Sequence, residues 1–330
     1  MLNWIRRYPN LLAMTASAVA LALVPLTIQN NYILTILILV GQFTMITVGL
    51  SLLMGYAGQI SLGQATFFGI GAYTTAILST RFSISPWLSL LGGVLLSAGV
   101  AYLIGMLIFR LRGHYLAMAT LGMNVILFLI LTQEVDWTGG PSGFRGVPDL
   151  NIGSFVLSSD VHYYYVMWAF TLIVIGLSLN IVNSRIGRAM RALHASEIAA
   201  EAVGVDTNSF KLKVFALSAA YGGLAGGLHA AYLGFMSPGS VSISVSIELV
   251  VMAVVGGLAS VWGALFGAGT VLWVEQYLRT AIKALIPKAS GEHEIIAFGF
   301  ILILIMIFMP EGLFAGLVAA IRRRTVARNP

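Results

Sequence analysis

Apolar residues run along this chain in blocks of about 20, the length a helix needs to cross a hydrocarbon core of roughly 30 Å. The blocks are Leu11–Ile28, Tyr32–Met54, Ser61–Thr80, Pro86–Phe109, Tyr115–Thr132, Tyr163–Val182 and Val214–Phe235. A polar stretch, Gln133–His162, separates the fifth from the sixth. A charged one, Asn183–Lys213, separates the sixth from the seventh. Lipid leaves no water for backbone groups, so each block predicts a helix. The short, strictly alternating segments of a barrel are not seen. The remaining apolar region, Ile247–Met309, is less regular. Its stretch Leu249–Val274 reads as one long helix or as two, broken at Gly256-Gly257.

Charge placement decides between these. With a cytoplasmic N-terminus and alternating spans, Arg6, Arg7, Arg110, Arg112, Arg185, Arg188, Arg191, Lys211 and Lys213 share one side. Glu134, Asp136, Asp149 and Asp160 fall on the other, which is the positive-inside pattern. The tail Arg322-Arg323-Arg324 then belongs in the cytoplasm too, and this demands an even number of spans. Breaking the late stretch at Gly256–Ser260 gives ten. The cost is that Arg279, Lys283 and Lys288 land outside, offset in part by Glu292 and Glu294. Counts of eight and nine are the alternatives. An internal echo supports the break: Gly58-Gln-Ile-Ser61-Leu-Gly63 and Gly257-Leu-Ala-Ser260-Val-Trp-Gly263 share one pattern, each followed by Phe-Gly. Each follows an inward span, as in the parallel repeats of transporters. Arg6 and Arg7 ahead of Leu11–Ile28 look like the start of a signal peptide. Ala18-Val-Ala20 lies inside the apolar run, however, so an uncleaved first span is expected.

Composition narrows the class. Of 330 residues, 58% are hydrophobic and 9% charged, where soluble domains carry about a quarter. The mean hydropathy of +0.93 agrees. The 36 Gly suit close helix packing in lipid. The absence of Cys removes disulfides, thiolate metal sites and a thiol nucleophile. No basic run is long enough for nucleic acid, despite a net charge of +6. His114, His162, His194, His229 and His293 show no metal spacing. No nucleophile–base or carboxylate pair can be assembled, so no catalytic or metal-ligating residue is assigned. The expectation is an all-α membrane protein, a polytopic bundle of about ten helices forming a solute pathway, with residues 1–330 as one domain.

Two segments carry candidate function. In Gly55–Tyr73, five glycines and two glutamines sit between apolar flanks. Gly58, Gln59, Ser61, Gly63 and Gln64 either line a pathway with neutral hydrogen-bonding groups or form a turn and a small-residue packing face. Gly257 and Ser260 are the matching positions of the second break. The other segment is Ser184–Asp206. Its Ala, Met, Leu, Glu and Arg favour helix, Ser196 is placed to N-cap a helix from Glu197, and Gly204 to end it. A short helix held between two spans is a lever for a docking partner; the alternative is a solvated loop. Among isolated polar residues, Asn124 is read as helix-packing glue, with substrate contact the alternative, while Glu248 and Glu275 are placed near span ends, within reach of water, as capping or surface groups, with ion coupling the alternative. The Gly139–Gly146 loop is expected outside, as a contact surface for another protein or a turn-rich connection.

Glu197-Ile-Ala-Ala-Glu201-Ala-Val-Gly204 resembles the E-A-A-x-x-x-G loop of ABC importer permeases. Ala199, Ala200 and Gly204 fit it; Ile198 stands where the leading Glu belongs, and Glu197 is one place early. Gly55-Tyr-Ala-Gly58-Gln-Ile-Ser61-Leu-Gly63-Gln-Ala, Thr138–Pro148 and Gly256–Gly263 are similar to segments of LivM-type permeases of branched-chain amino acid importers, in that family's order. The resemblance implies a type II-like importer half in a bacterial inner membrane, with both termini cytoplasmic. Its implied partners are a second, LivH-like permease, two ATPase subunits and a periplasmic binding protein. Arg188, Arg191, Glu197, Ala199, Ala200, Glu201, Gly204 and Asp206 would then face the ATPase, in a coupling segment at 184–213, and the loop at 133–162 would be periplasmic. The chain carries no G-x-x-x-x-G-K-[ST] phosphate loop, so ATP and Mg are expected on partner subunits and no cofactor on this chain. Urea or a short amide is the alternative cargo, and a stand-alone secondary transporter the alternative class.

Overall fold

A computed structural model describes residues 9–27, 30–111, 113–153 and 155–285, with residues 299, 300, 303, 304, 307 and 312 beyond them. Arg6, Arg7, Arg112, Lys288, Glu292, His293, Glu294 and Arg322-Arg323-Arg324 lie outside the described residues, as does most of the last predicted span. The principal helices are α1 (Pro9–Thr27), α2 (Asn31–Leu50), α3 (Gln64–Arg81), α4 (Pro86–Ile108), α5 (His114–Gln133), α6 (Asp160–Asn183), α7 (Arg185–Ala195), α8 (Glu197–Ala202), α9 (Thr207–Leu233), α10 (Ile243–Gly256) and α11 (Val261–Leu285). Short strands β1 (Phe144–Arg145) and β4 (Phe235–Met236) pair antiparallel, as do β2 (Asn151–Ile152) and β3 (Phe155–Val156).

Among the described residues, five helices are long and apolar enough to cross a membrane: α2 with its extension to Tyr56, α4, α5, α6 and α9. The pair α10–α11, bent by 119°, makes a sixth candidate. Helix α3 falls below that apolarity. Its Gln64, Thr66, Gly69, Gly71 and Thr75 are buried against other helices, so they need not be greasy.

The helix ends sort into two levels. Arg110, Arg185, Arg188 and Arg191 lie in the connections at one end, called here the basic end. Glu134, Asp136, Asp149 and Asp160 lie at the other, the acidic end. The acidic end is tied together closely. The Arg81 guanidinium donates to the Asp136 carbonyl and lies over the Trp137 ring at 5.1 Å. Trp87 Nε1 donates to the Asn151 carbonyl at 2.6 Å. Tyr163 Oη sits 2.9 Å from the Ala231 carbonyl and 3.1 Å from Asp149 Oδ1. The segment after α5 is therefore a pinned cap, and its Phe144–Arg145 strand is held by the turn after α9.

At the centre, α3, α4 and α9 pack against one another. Helix α4 turns a ladder of small residues inward, Ser89, Gly93, Ser97, Ala101 and Gly105, each four positions after the last. Residues at that spacing share one helix face. The opposite face, with Leu88, Leu95 and Leu103, is exposed, which is the placement expected for lipid contact. Where the three helices cross, a Cβ on Gly71 would sit 2.1 Å from the Gly223 carbonyl oxygen. One on Gly93 would sit 2.7 Å from the Gly71 carbonyl oxygen. Backbones, not side chains, set the distance between these helices, and dispersion over that close approach holds them in lipid. Helix α2 packs beside this trio, and α6, α10 and α11 pack on α2.

Gly71→Ala should therefore destabilise the folded chain by about 1–3 kcal/mol, the usual cost of overpacking, read as a lower unfolding temperature in detergent. Gly99→Ala, where nothing lies within 4 Å of the new methyl, should leave it unchanged. Equal effects would refute the backbone contact as the determinant.

Candidate functional site

The first glycine-rich segment is a true break. Helix α2 widens into a π-helical turn at Ser51–Tyr56, and Gly58 follows with φ +68°, a conformation that suits glycine. The chain then runs without helix to Gly63. Helix α3 begins well inside the bundle, because Gln64 Nε2 donates to the Ser218 carbonyl at 2.9 Å, near the middle of α9. A helix beginning at that depth exposes amides that lipid cannot satisfy. Gly63 offers no side-chain cap. Two hydroxyls from other helices serve instead: Leu62 N–H donates to Thr120 Oγ1 at 3.0 Å, and Ala65 N–H to Ser246 Oγ at 3.1 Å.

Around this start the polar groups are only partly used. Thr66 Oγ1 donates to Asn124 Oδ1 at 3.2 Å. Ser61 Oγ, Gln64 Oε1, Asn124 Nδ2 and Ser218 Oγ are buried with no partner among the described residues. Buried polar atoms are normally paired, so this cluster holds unused, uncharged hydrogen-bonding capacity. Gln59 is different: its Nε2 donates to the Ala57 carbonyl at 3.0 Å and serves its own turn. A crevice beside Ser61, walled by Leu53, Thr120 and Phe215, is too narrow for a water molecule.

The second break, between α10 and α11, is a tight turn. Gly257 has φ +105°, and Ser260 Oγ accepts from Gly263 N–H at 2.9 Å. The two breaks touch. A Cβ on Gly55 would lie 1.8 Å from the Leu258 carbonyl oxygen, so only glycine lets them meet.

The charged segment joins the same cluster at the basic end. Ser184 Oγ caps α7, Ser196 Oγ caps α8 by accepting from Ala199 N–H, and Asp206 caps α9. Gly204, at φ +84°, ends α8. Arg191 Nη1 donates to the Val182 carbonyl at 3.1 Å, holding α7 under the end of α6. Ala200 is buried, whereas Arg188, Ala199, Glu201 and Asp206 are exposed. His194 packs on Gly58, so the charged segment bears directly on the first break.

One boundary differs from expectation. Helix α9 starts at Thr207 and not at Val214, and it carries Lys211 inward. The Lys211 side chain, 4% exposed, pairs with Glu197, and Thr207 Oγ1 donates to Glu201 Oε1 at 2.7 Å. Helix α8 is thus fastened to the base of α9 at both its ends.

With this geometry in view, the comparisons with known proteins become specific. The family described as branched-chain amino acid transport system / permease component matches residues 32–320. The chain belongs to this permease family. It is 30% identical over 294 residues to the high-affinity branched-chain amino acid transport system permease protein LivM of Salmonella typhimurium, covering 82% of this chain and 67% of that protein. The Escherichia coli LivM protein is similar at 30% over 297 residues, with the same coverage. The permease protein LivH of Salmonella typhimurium is 24% identical over 289 residues, covering 83% of this chain and 91% of LivH. No solved structure matches the chain. The chain is thus a helical membrane permease, a transport component.

Two features of the permease were not read from its sequence. His229 Nδ1 lies 2.7 Å from Gln42 Oε1, and its ring stacks obliquely on Phe68 at 5.3 Å. Glu248 lies within α10, which begins at Ile243, and follows by two residues Ser246, which caps α3. Both depend on contacts between helices remote in sequence, and no local spacing marks them. Among the described residues no three His, Asp or Glu side chains gather as a metal site.

Lys211→Met should loosen α8 by about 2 kcal/mol, between the values for exposed and buried ion pairs. Limited trypsin treatment checks this: cleavage at Arg185, Arg188 and Arg191 should accelerate while the remainder of the chain stays protected. Unchanged cleavage would remove the pair from any fastening role.

Proposed function

We propose that this permease chain is one half of an ATP-driven importer of branched-chain amino acids that works by alternating access. The observation that carries the reading is the junction at the basic end, where His194 of α7 packs on Gly58 and Gly55 packs on Leu258. A push on α7 and α8 is transmitted to both breaks without passing through a flexible linker. Gly58, Ser61, Gly63 and Gln64 then line the pathway with neutral groups, with Gly257 and Ser260 at the hinge beside it.

The basic end faces the cytoplasm in this reading, with both termini on that side, and the membrane is the bacterial inner membrane. Ten spans are assigned: α1 to α6, α9, α10, α11 and one more beyond residue 298, with the two glycine-rich breaks at corresponding places of a parallel repeat. Positive-φ glycines at both breaks, Gly58 and Gly257, support that correspondence. The ATPase subunits, which hold ATP and Mg, dock on α7 and α8. Ile198 and Val203 favour this, since they are 75% and 77% exposed at an otherwise charged end. A LivH-like chain is the second permease, supported by the similarity of this chain to both LivM and LivH relatives. A periplasmic binding protein delivers the cargo to the acidic end.

Reconstitution of the complex in vesicles tests the reading. Leucine uptake should require ATP and the binding protein, and uptake that persists without ATP would overturn it. Gly204→Pro and Glu201→Lys should weaken ATPase co-purification about tenfold, equivalent to 1.4 kcal/mol, with membrane insertion intact. Normal assembly and uptake in both variants would remove α8 from docking. Ser61→Trp should stop uptake while the complex still assembles; normal uptake would move that segment out of the pathway.

A further inference from the structure

A second polar feature lies apart from the breaks, where α2, α10 and α11 enclose a cavity of about 320 Å³. That volume suits a small organic molecule and is far larger than a bare ion needs. Its walls are of two kinds. Ile36, Leu39, Phe43 and Leu272 supply an apolar side, while Glu248, Glu275, Gln276 and Arg279 supply a polar one. A neighbouring cavity walled by Leu21, Leu37, Trp168 and Phe266 is almost wholly apolar, so polarity is not general to this face.

The charges are arranged unequally. Glu275 Oε1 accepts from Arg279 Nη2 at 3.2 Å, one turn along α11. Glu248, on α10, has no hydrogen bond or ion pair with a described residue. An ionisable group at membrane depth is costly, and it marks function more often than packing. Toward the acidic end, Gln276 Nε2 meets Tyr32 Oη, which closes that side of the cavity with neutral groups.

We infer that this cavity is a holding site for a free α-amino acid with an apolar side chain. Glu248 receives the ammonium group, Arg279 the carboxylate, and the Ile36–Leu39–Phe43–Leu272 wall the side chain. A simple cation would satisfy Glu248 but would leave the four-residue apolar wall unused. Ser246, which caps α3, lies on the same helix two residues before Glu248, so a solute held here contacts the helix that supplies that cap. The inference rests on the amino acid importer reading, to which it adds a charged site distinct from the neutral lining.

The chain has no cysteine, so one introduced thiol is its only label site. In the reconstituted complex, Gln276→Cys should react with a water-soluble maleimide, read on this chain by mass. Millimolar leucine should slow that reaction at least threefold; sodium chloride should not. Adding Glu248→Gln or Arg279→Gln should abolish the protection, and Glu248→Asp should restore part of it. Tyr277→Phe, on the exposed side of α11, should leave it intact. Absence of protection by leucine, equal protection by sodium chloride, or protection that survives both charge-removing variants would overturn the site. ATP-driven leucine uptake by the unmodified complex is measured in parallel. Uptake without protection overturns this site alone, and no uptake overturns the importer reading with it.

Discussion

Three backbones meeting at Gly71, Gly93 and Gly223 are the constraint on which the rest of the molecule depends. In lipid, apolar side chains gain little by leaving one apolar medium for another, so helices associate through close contact and interhelical hydrogen bonds. Here α3, α4 and α9 come together so tightly that a single added methyl would overlap a carbonyl oxygen. This lets α3 be both polar and buried. A helix with Gln, Thr and Gly along its length would be a poor span facing lipid, but it is well placed inside a ring of other helices.

Because α3 is held along its sides, it can begin at depth. The amide of Leu62 just before it is met by Thr120 of α5 and that of Ala65 in its first turn by Ser246 of α10, and its first side chain grips the α9 backbone. The unwound segment before it is therefore supported by three separate helices. Each of those helices has one terminus toward the basic end, where the two breaks and α7 touch. A displacement there changes the distances among the very groups that cap α3, which gives mechanical continuity between the charged segment and the bundle interior.

Much of this was legible. Apolar block lengths located the long helices to within a few residues, and the caps at Ser196 and Gly204 followed from residue type and spacing alone. The start of α9 was not legible, because Lys211 looks like a solvated charge until Glu197 is brought to it. Nor was the depth of Glu248, which depends on α10 beginning at the level of the α3 start. The pairing of His229 with Gln42 joins positions far apart in the chain. Local pattern reports which face of a helix is apolar; it does not report which partner a lone polar group will meet.

The small-residue ladder on α4 has a further consequence. A ladder that repeats every four residues looks almost the same after a slide of about 6 Å along the helix axis. Its fit is therefore a weak ruler. Register must come from unique marks: Gly93 against Gly71 in the middle, and the Trp87 indole held by the Asn151 carbonyl at the acidic end. Helix α4 is thus smooth along its length and indexed at two points, as a sliding bolt is by its notches.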